Sequence, residues 1–181
     1  HPYQPRSMDK SDIREFRRWH REAALRAKEA DFDIVYVYAT HGYLLSHFLS
    51  AQTNTRTDEY GGSLENRTRL LRELIEDTKE VVGDRCAVAV RYSVGGDDGE
   101  APELTAERRD RLGMLAELPD LWDININNYY QEMGVSRFFK EGSLDEYMSF
   151  VKSVTTKPVV TVGRFTSPET MTSQVRRGIV D

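Results

Sequence analysis

Apolar residues change their spacing repeatedly along this chain. Between Asp12 and Ala30 they recur three and four apart, at Ile13, Phe16, Ala23, Ala24 and Ala27, which predicts a helix capped by Ser11 or Asp12. Asp33 followed by the apolar and aromatic run Ile34 to Tyr38 predicts a strand from Asp33 to Tyr38. After a long loop, Ser63 precedes a second helical stripe of Leu70, Leu71, Leu74, Ile75 and Val82, and Gly83 ends it where a positive φ is favoured. Ala87 to Tyr92 reads as the second strand. Thr105 opens a third helix bearing Leu112, Leu115 and Ala116, and Pro119 blocks its continuation. Leu121 to Ile126 is the third strand. Ser143 and Glu146 have capping-box spacing ahead of Leu144, Tyr147, Phe150, Val151 and Val154. Pro158 to Val162 is the fourth strand, and Ser167-Pro168 starts a last helix with Met171 and Val175 facing inward.

This strict alternation is the signature of βα units around a parallel sheet, either a doubly wound sheet or part of an eight-stranded barrel. No Gly-x-Gly-x-x-Gly follows a strand, which weakens the dinucleotide fold. The polar residues Tyr38, His41, Arg91, Asn125, Asn127, Gly163 and Arg164 all fall at strand C-termini, the face on which a barrel builds its site. The fold expected is therefore α/β, a partial TIM (β/α)8 barrel. A full barrel takes about 250 residues, so 181 correspond to roughly half. The first residue is His1, and Ile179-Val180-Asp181 lies where a new strand would begin. Residues 1–181 are thus expected to be one barrel segment truncated at both ends.

Composition narrows the classes of function. Charged residues make up 30% of the chain and the net charge is −5, a balance that argues against a nucleic-acid partner. Arg14, Arg17, Arg18, Arg21 and Arg26 cluster, but Glu15, Glu22 and Glu29 alternate with them, as on a solvated helix face. No apolar run approaches membrane-spanning length, so no membrane partner is expected. One cysteine, Cys86, excludes an internal disulfide and makes a reducing, cytoplasmic setting the default. Asp97-Asp98 among glycines has the spacing of a turn, and no metal site is expected.

The run Asn54-Thr55-Arg56-Thr57-Asp58-Glu59-Tyr60-Gly61-Gly62-Ser63-Leu64-Glu65-Asn66-Arg67 resembles the flavin-dependent Old Yellow Enzyme superfamily of FMN barrels. Residues 33–38, Trp122-Asp123-Ile124, Ser136-Arg137-Phe138 and residues 162–169 are similar to its trimethylamine and dimethylamine dehydrogenase branch. The resemblance runs from about Met8 to Asp181 and makes the strands the fourth to seventh of the barrel. Ene reductases of the superfamily carry His where Tyr38 stands, and His or Asn where His41 stands. The Tyr-His pair resembles the amine dehydrogenases, whose pocket adds an Asp from a later loop. Alignment on Ser136-Arg137-Phe138 puts Glu132 at that Asp, a departure from the pattern. The loop from Asn127 to Val135 is also shorter than in the branch, leaving Tyr129 or Tyr130 for an aromatic wall otherwise completed by Trp.

Read from its residues alone, Tyr38 is first a core aromatic. His41, just past a strand end, is the stronger chemical candidate. The resemblance implies a substrate site of Tyr38, His41, Tyr43 and Glu132, with Tyr43 either protonating or packing. It further implies Arg91 at the N1/O2 edge of FMN, and Gly163 and Arg164 at its phosphate, a plain salt bridge being the other reading of Arg164. Arg56, Asp58, Tyr60, Gly61 and Gly62 read as architecture. The activity implied is oxidative N-dealkylation of a small secondary or tertiary methylated amine, with electrons passed to an acceptor and the full-length protein a homo-oligomer. A 4Fe-4S cluster of that branch cannot be ligated by this segment's one cysteine. Two alternatives remain: an NAD(P)H-dependent ene reductase or dienoyl-CoA-reductase-like enzyme, and a non-catalytic barrel fragment.

Overall fold

The computed structural model describes residues 6–95, 102–127 and 140–181, with only the backbone for 102–105. In chain order the elements are α1 (Lys10–Glu29), β1 (Ile34–Ala39), α2 (Leu44–Leu49), α3 (Leu64–Val82), β2 (Ala87–Ser93), α4 (Pro102–Leu115), β3 (Leu121–Asn125), α5 (Asp145–Met148), β4 (Val159–Thr161) and α6 (Pro168–Arg176). The strands form one parallel sheet in the order β1-β2-β3-β4. Neighbouring strands are consecutive in sequence, and the helices between them lie on one face. This is the wall of a partial (β/α)8 barrel rather than a doubly wound sheet.

Register sorts every strand residue by face. Val35, Val37 and Ala39, then Val88, Val90 and Tyr92, then Trp122 and Ile124, with Val159 at the edge, turn toward the helices and are buried. The Trp122 ring meets Tyr92 edge-on at 5.9 Å, and its Nε1 donates to the Ala116 carbonyl at 2.9 Å, so the indole is buried with its donor satisfied. Ile34, Tyr36, Tyr38, Arg91, Asp123, Asn125 and Val160 lie on the opposite face. There Ile34, Tyr36, Tyr38 and Val160 are exposed.

Several helix boundaries differ from expectation. Asp9 caps α1, accepting from the Ser11 and Asp12 backbone N–H groups at 2.7 and 2.9 Å, and the Asp12 carboxylate accepts from the Asp9 N–H at 2.8 Å. Asp12 is thus the third residue of a capping box rather than the cap, and Ala23 lies exposed beside the apolar stripe. Arg17 and Arg21 are not merely solvated. Both reach Asp77 on α3, at 2.7 and 3.1 Å, and they also pair with Glu73 and Glu80. Arg18 does pair along its own helix, with Glu15 and Glu22.

Ser63 and Gly83 bound α3 as expected, with Gly83 at φ 58°. The helix α4 begins at Pro102, ahead of Thr105. No capping box forms at Ser143 and Glu146, because Leu144 sits at the cap and the Ser143 hydroxyl is buried without a partner. That segment is one short helix and a 3-10 turn (Val151–Ser153) rather than a continuous helix. Ser167 caps α6 with Pro168 in the first turn, but Met171 and Val175 are exposed, and the residue of α6 that is buried is Gln174.

The run Asn54 to Arg67 is a strap that fastens several elements. Asn54 donates to the carbonyls of Phe48 and Tyr60 at 2.6 and 2.7 Å, and Tyr60 donates to Glu73 on α3 at 2.9 Å. Arg56 pairs with Asp58 and reaches the Met8 carbonyl ahead of α1. Arg67 bonds to the Leu49 and Gly62 carbonyls and to Glu107 on α4. Its two glycines serve different needs. Gly62 has φ 79°, whereas a Cβ on Gly61 would stand 2.2 Å from the Arg56 carbonyl oxygen.

Candidate functional site

The end of β1 and the turn after it build the core of the site. Residues 40–43 reverse direction with the Tyr43 N–H donating to the Thr40 carbonyl at 3.3 Å, and both central residues have positive φ, His41 at 55° and Gly42 at 70°. Positive φ at both central positions is the type I′ pattern, which Gly42 adopts readily and His41 adopts under strain. The turn folds the imidazole back over the strand that precedes it. Tyr38 Oη and His41 Nδ1 lie 2.7 Å apart, and the Tyr43 ring meets Tyr38 edge-on at 5.6 Å.

A second set of residues holds the other side of the ring. Asn125, at the end of β3, donates from Nδ2 to His41 Nε2 at 2.9 Å. Its Oδ1 accepts from the hydroxyls of Thr40 at 2.9 Å and Ser93 at 3.1 Å, and those hydroxyls also touch each other. Thr40 and Asn125 are wholly buried, so their polar atoms are bonded within a closed layer.

One row below, register aligns Tyr38, Arg91 and Asp123 across three strands. Arg91 Nη1 donates to Asp123 Oδ2 at 2.7 Å, which supplies the anionic partner that a guanidinium on this strand requires. Tyr36 lies beneath Tyr38 on the same face. Burial and the Asp123 charge push its phenol up, and Arg91 only partly offsets them.

Gly163 and Arg164 follow β4. A Cβ at Gly163 would approach the Phe165 ring to 2.9 Å, and Arg164 has φ 42°. The turn leads into the N-terminus of α6, where Ser167 Oγ accepts from the Thr170 N–H at 3.2 Å.

The structure thus brings Tyr38, His41 and Tyr43 together and puts Arg91 in register beside Tyr38. Glu132, Tyr129, Tyr130, residues 136–138 and Asp97-Asp98 lie outside the described residues. Both His41 ring nitrogens already have described partners, Tyr38 and Asn125. Sequence reasoning missed α2 and the Thr40–Ser93–Asn125 layer. The sequence marks Asn125 only as one polar residue at a strand end, and the signal that could have found its role is its parity with Ser93 on the open face. Among the described residues no cluster of His, Cys, Asp and Glu could hold a metal ion, and no helix is long and apolar enough to cross a membrane. Cys86 is buried and donates to the Phe32 carbonyl at 2.8 Å.

The barrel wall carries Tyr38, His41 and Arg91 at the C-terminal ends of its strands, the face on which such barrels bind their ligands. The chain belongs to the NADH:flavin oxidoreductase / NADH oxidase family, whose model matches residues 1–181. The cofactor of that family is FMN.

Among its relatives, dimethylamine dehydrogenase from Hyphomicrobium sp. (strain x) is 34% identical over 182 residues, 96% of this chain and 24% of that protein. The solved 6-hydroxypseudooxynicotine amine oxidase of Pseudomonas geniculata N1 is 54% identical with a TM-score of 0.93, covering 99% of this chain and 27% of that one. Histamine dehydrogenase from Rhizobium sp. 4-9 is 47% identical with a TM-score of 0.92, over 99% and 26% of the two chains. This chain therefore spans about a quarter of the length of these relatives.

Proposed function

We propose that this chain supplies the substrate-facing wall of an FMN-dependent amine dehydrogenase that removes a small alkyl group, such as methyl, from a secondary or tertiary amine. The observation that carries the reading is the bonded Tyr38–His41 pair on the open sheet face, with Tyr38 in register with Arg91 on the next strand. The three relatives named above, two amine dehydrogenases and an amine oxidase by name, support amine oxidation as the reaction class.

The residues fit a flavin. Arg91 is aimed by Asp123 on the exposed face, where a guanidinium suits the electron-rich pyrimidine edge. Gly163 and the left-handed Arg164 turn the backbone just ahead of the start of α6, a place where a phosphate is favoured. When bound, FMN accepts the two electrons released as the C–H bond beside nitrogen breaks. In sum, an N-methylated amine and one water give the demethylated amine, formaldehyde, two electrons and two protons. The two electrons then leave for an acceptor in the intact protein.

The chain's own residues handle binding and protons. Only the neutral amine has the lone pair that oxidation needs. Tyr38 and His41 hold that nitrogen and govern its protonation, Tyr43 packs edge-on against Tyr38, and Glu132, later in the sequence than β3, is assigned the accompanying carboxylate. Replacing Tyr38 with Phe in the intact protein should lower kcat/KM about 100-fold and move the acid limb of its pH profile. An unchanged profile would remove Tyr38 from the mechanism. Turnover of cyclohexenone with NADPH, and of no methylated amine, would instead favour the ene-reductase reading, which the NADH oxidase side of the family keeps open.

A further inference from the structure

We infer that Asn125 is a positioning residue that sets the tautomer of His41, placing its proton on Nδ1 and aiming it at Tyr38. The inference rests on the amine-oxidation reading only in giving that pair its task. The geometry stands without it.

An amide Nδ2 donates and cannot accept, so a ring nitrogen 2.9 Å from it must present a lone pair. With Nε2 unprotonated, the single proton of the neutral ring sits on Nδ1, 2.7 Å from Tyr38 Oη. Tyr38 oxygen then accepts from the histidine, and its own O–H is turned away from the imidazole. Two groups hold the amide that way round. The buried hydroxyls of Thr40 and Ser93 lie 2.9 and 3.1 Å from Oδ1 and also touch each other, so one of them donates to Oδ1 and the proton of the other goes to Oδ1 or to its neighbouring hydroxyl.

Among the described residues, the groups facing the ring are neutral. Tyr38 on β1, Thr40 and Tyr43 in the turn, Ser93 on β2 and Asn125 on β3 carry no charge. The nearest described charges are Arg91 and Asp123, which neutralise each other one row away.

The test follows exchange of the imidazole C2 hydrogen by mass spectrometry in the intact protein, using peptides that separate His41 from His47. It needs no substrate, so its outcome is independent of what the enzyme oxidises. Asn125→Asp replaces the donor with a carboxylate that accepts a proton-bearing Nε2. The exchange midpoint at His41 should rise by about 1 to 3 pH units. Thr40→Val combined with Ser93→Ala leaves Asn125 in place but frees its amide to turn over, and should raise the midpoint less. In a Tyr38→Phe background, the change that Asn125→Asp makes in the acid limb of turnover should shrink, because the two residues act through one ring. If the midpoint stays where it is in both variants, Asn125 merely packs and the inference fails. If it moves while no methylated amine is turned over, the tautomer assignment holds and the amine reading alone is lost.

Discussion

At the residue scale, backbone geometry and chemistry meet at residues 41 and 42. The left-handed pair is what turns His41 toward Tyr38 and Asn125, so Gly42 acts on the site without touching it. Gly42→Ala meets no neighbouring atom, and its cost is purely that of a side chain at φ 70°. A loss of about 1 to 2 kcal/mol is expected, read as a lower midpoint in urea with an unchanged slope. Gly61→Ala should be worse, because the new methyl collides with the Arg56 carbonyl rather than straining a torsion. If the two variants unfold at the same denaturant concentration, this distinction between strain and collision is wrong. The strand residues were legible one by one from their alternation. The hydroxyl of Thr40 was not, because its partners Ser93 and Asn125 are 53 and 85 residues away.

At the scale of elements, the ion network between α1 and α3 carries a pH dependence. Burial pushes the Asp77 carboxyl up, but the hydrogen bond and charge of Arg17, and then those of Arg21, outweigh it and hold the group below its usual range. A carboxyl whose pKa is lower in the folded state contributes stability fully above its unfolded value, about 3.9, and loses it as pH falls through the folded one. Wild-type stability should therefore drop more steeply below about pH 4 than that of Asp77→Asn, while at pH 7 the variant should be about 2 kcal/mol less stable. Parallel acid limbs in thermal melts would count against this. Helix existence was legible wherever a stripe ran for several turns, as in α1 and α3. It failed where the stripe was short. The six residues of α2 read as loop, and the Ser143 segment reads as one helix although two short pieces suffice to bury Leu144, Met148 and Val151.

At the scale of the whole molecule, the four strands expose an apolar and aromatic face at Ile34, Tyr36, Tyr38 and Val160, and two sheet edges at β1 and β4. A polypeptide of residues 1–181 alone should self-associate or bind FMN weakly, as seen by sedimentation with flavin absorbance recorded at the same time. A monomer sedimenting with one equivalent of flavin would contradict that expectation. The parallel barrel wall was legible because every strand and crossover helix advertises itself locally. The candidate site was half legible: Tyr38, His41 and Arg91 could be marked by their place at strand ends. What holds them, Asn125 and Asp123, depends on the register between strands, and that register appears only once the sheet is assembled.

The strap from Asn54 to Arg67 bonds to the approach to α1 and to α2, α3 and α4, yet none of its described bonds reaches Tyr38, His41, Arg91 or Asn125. Scaffold and candidate site are thus written in separate parts of the chain. Exchanging the residues around His41 for those of another specificity would leave every fastening in place. The wall can serve as a fixed mount on which the choice of substrate is altered a few side chains at a time.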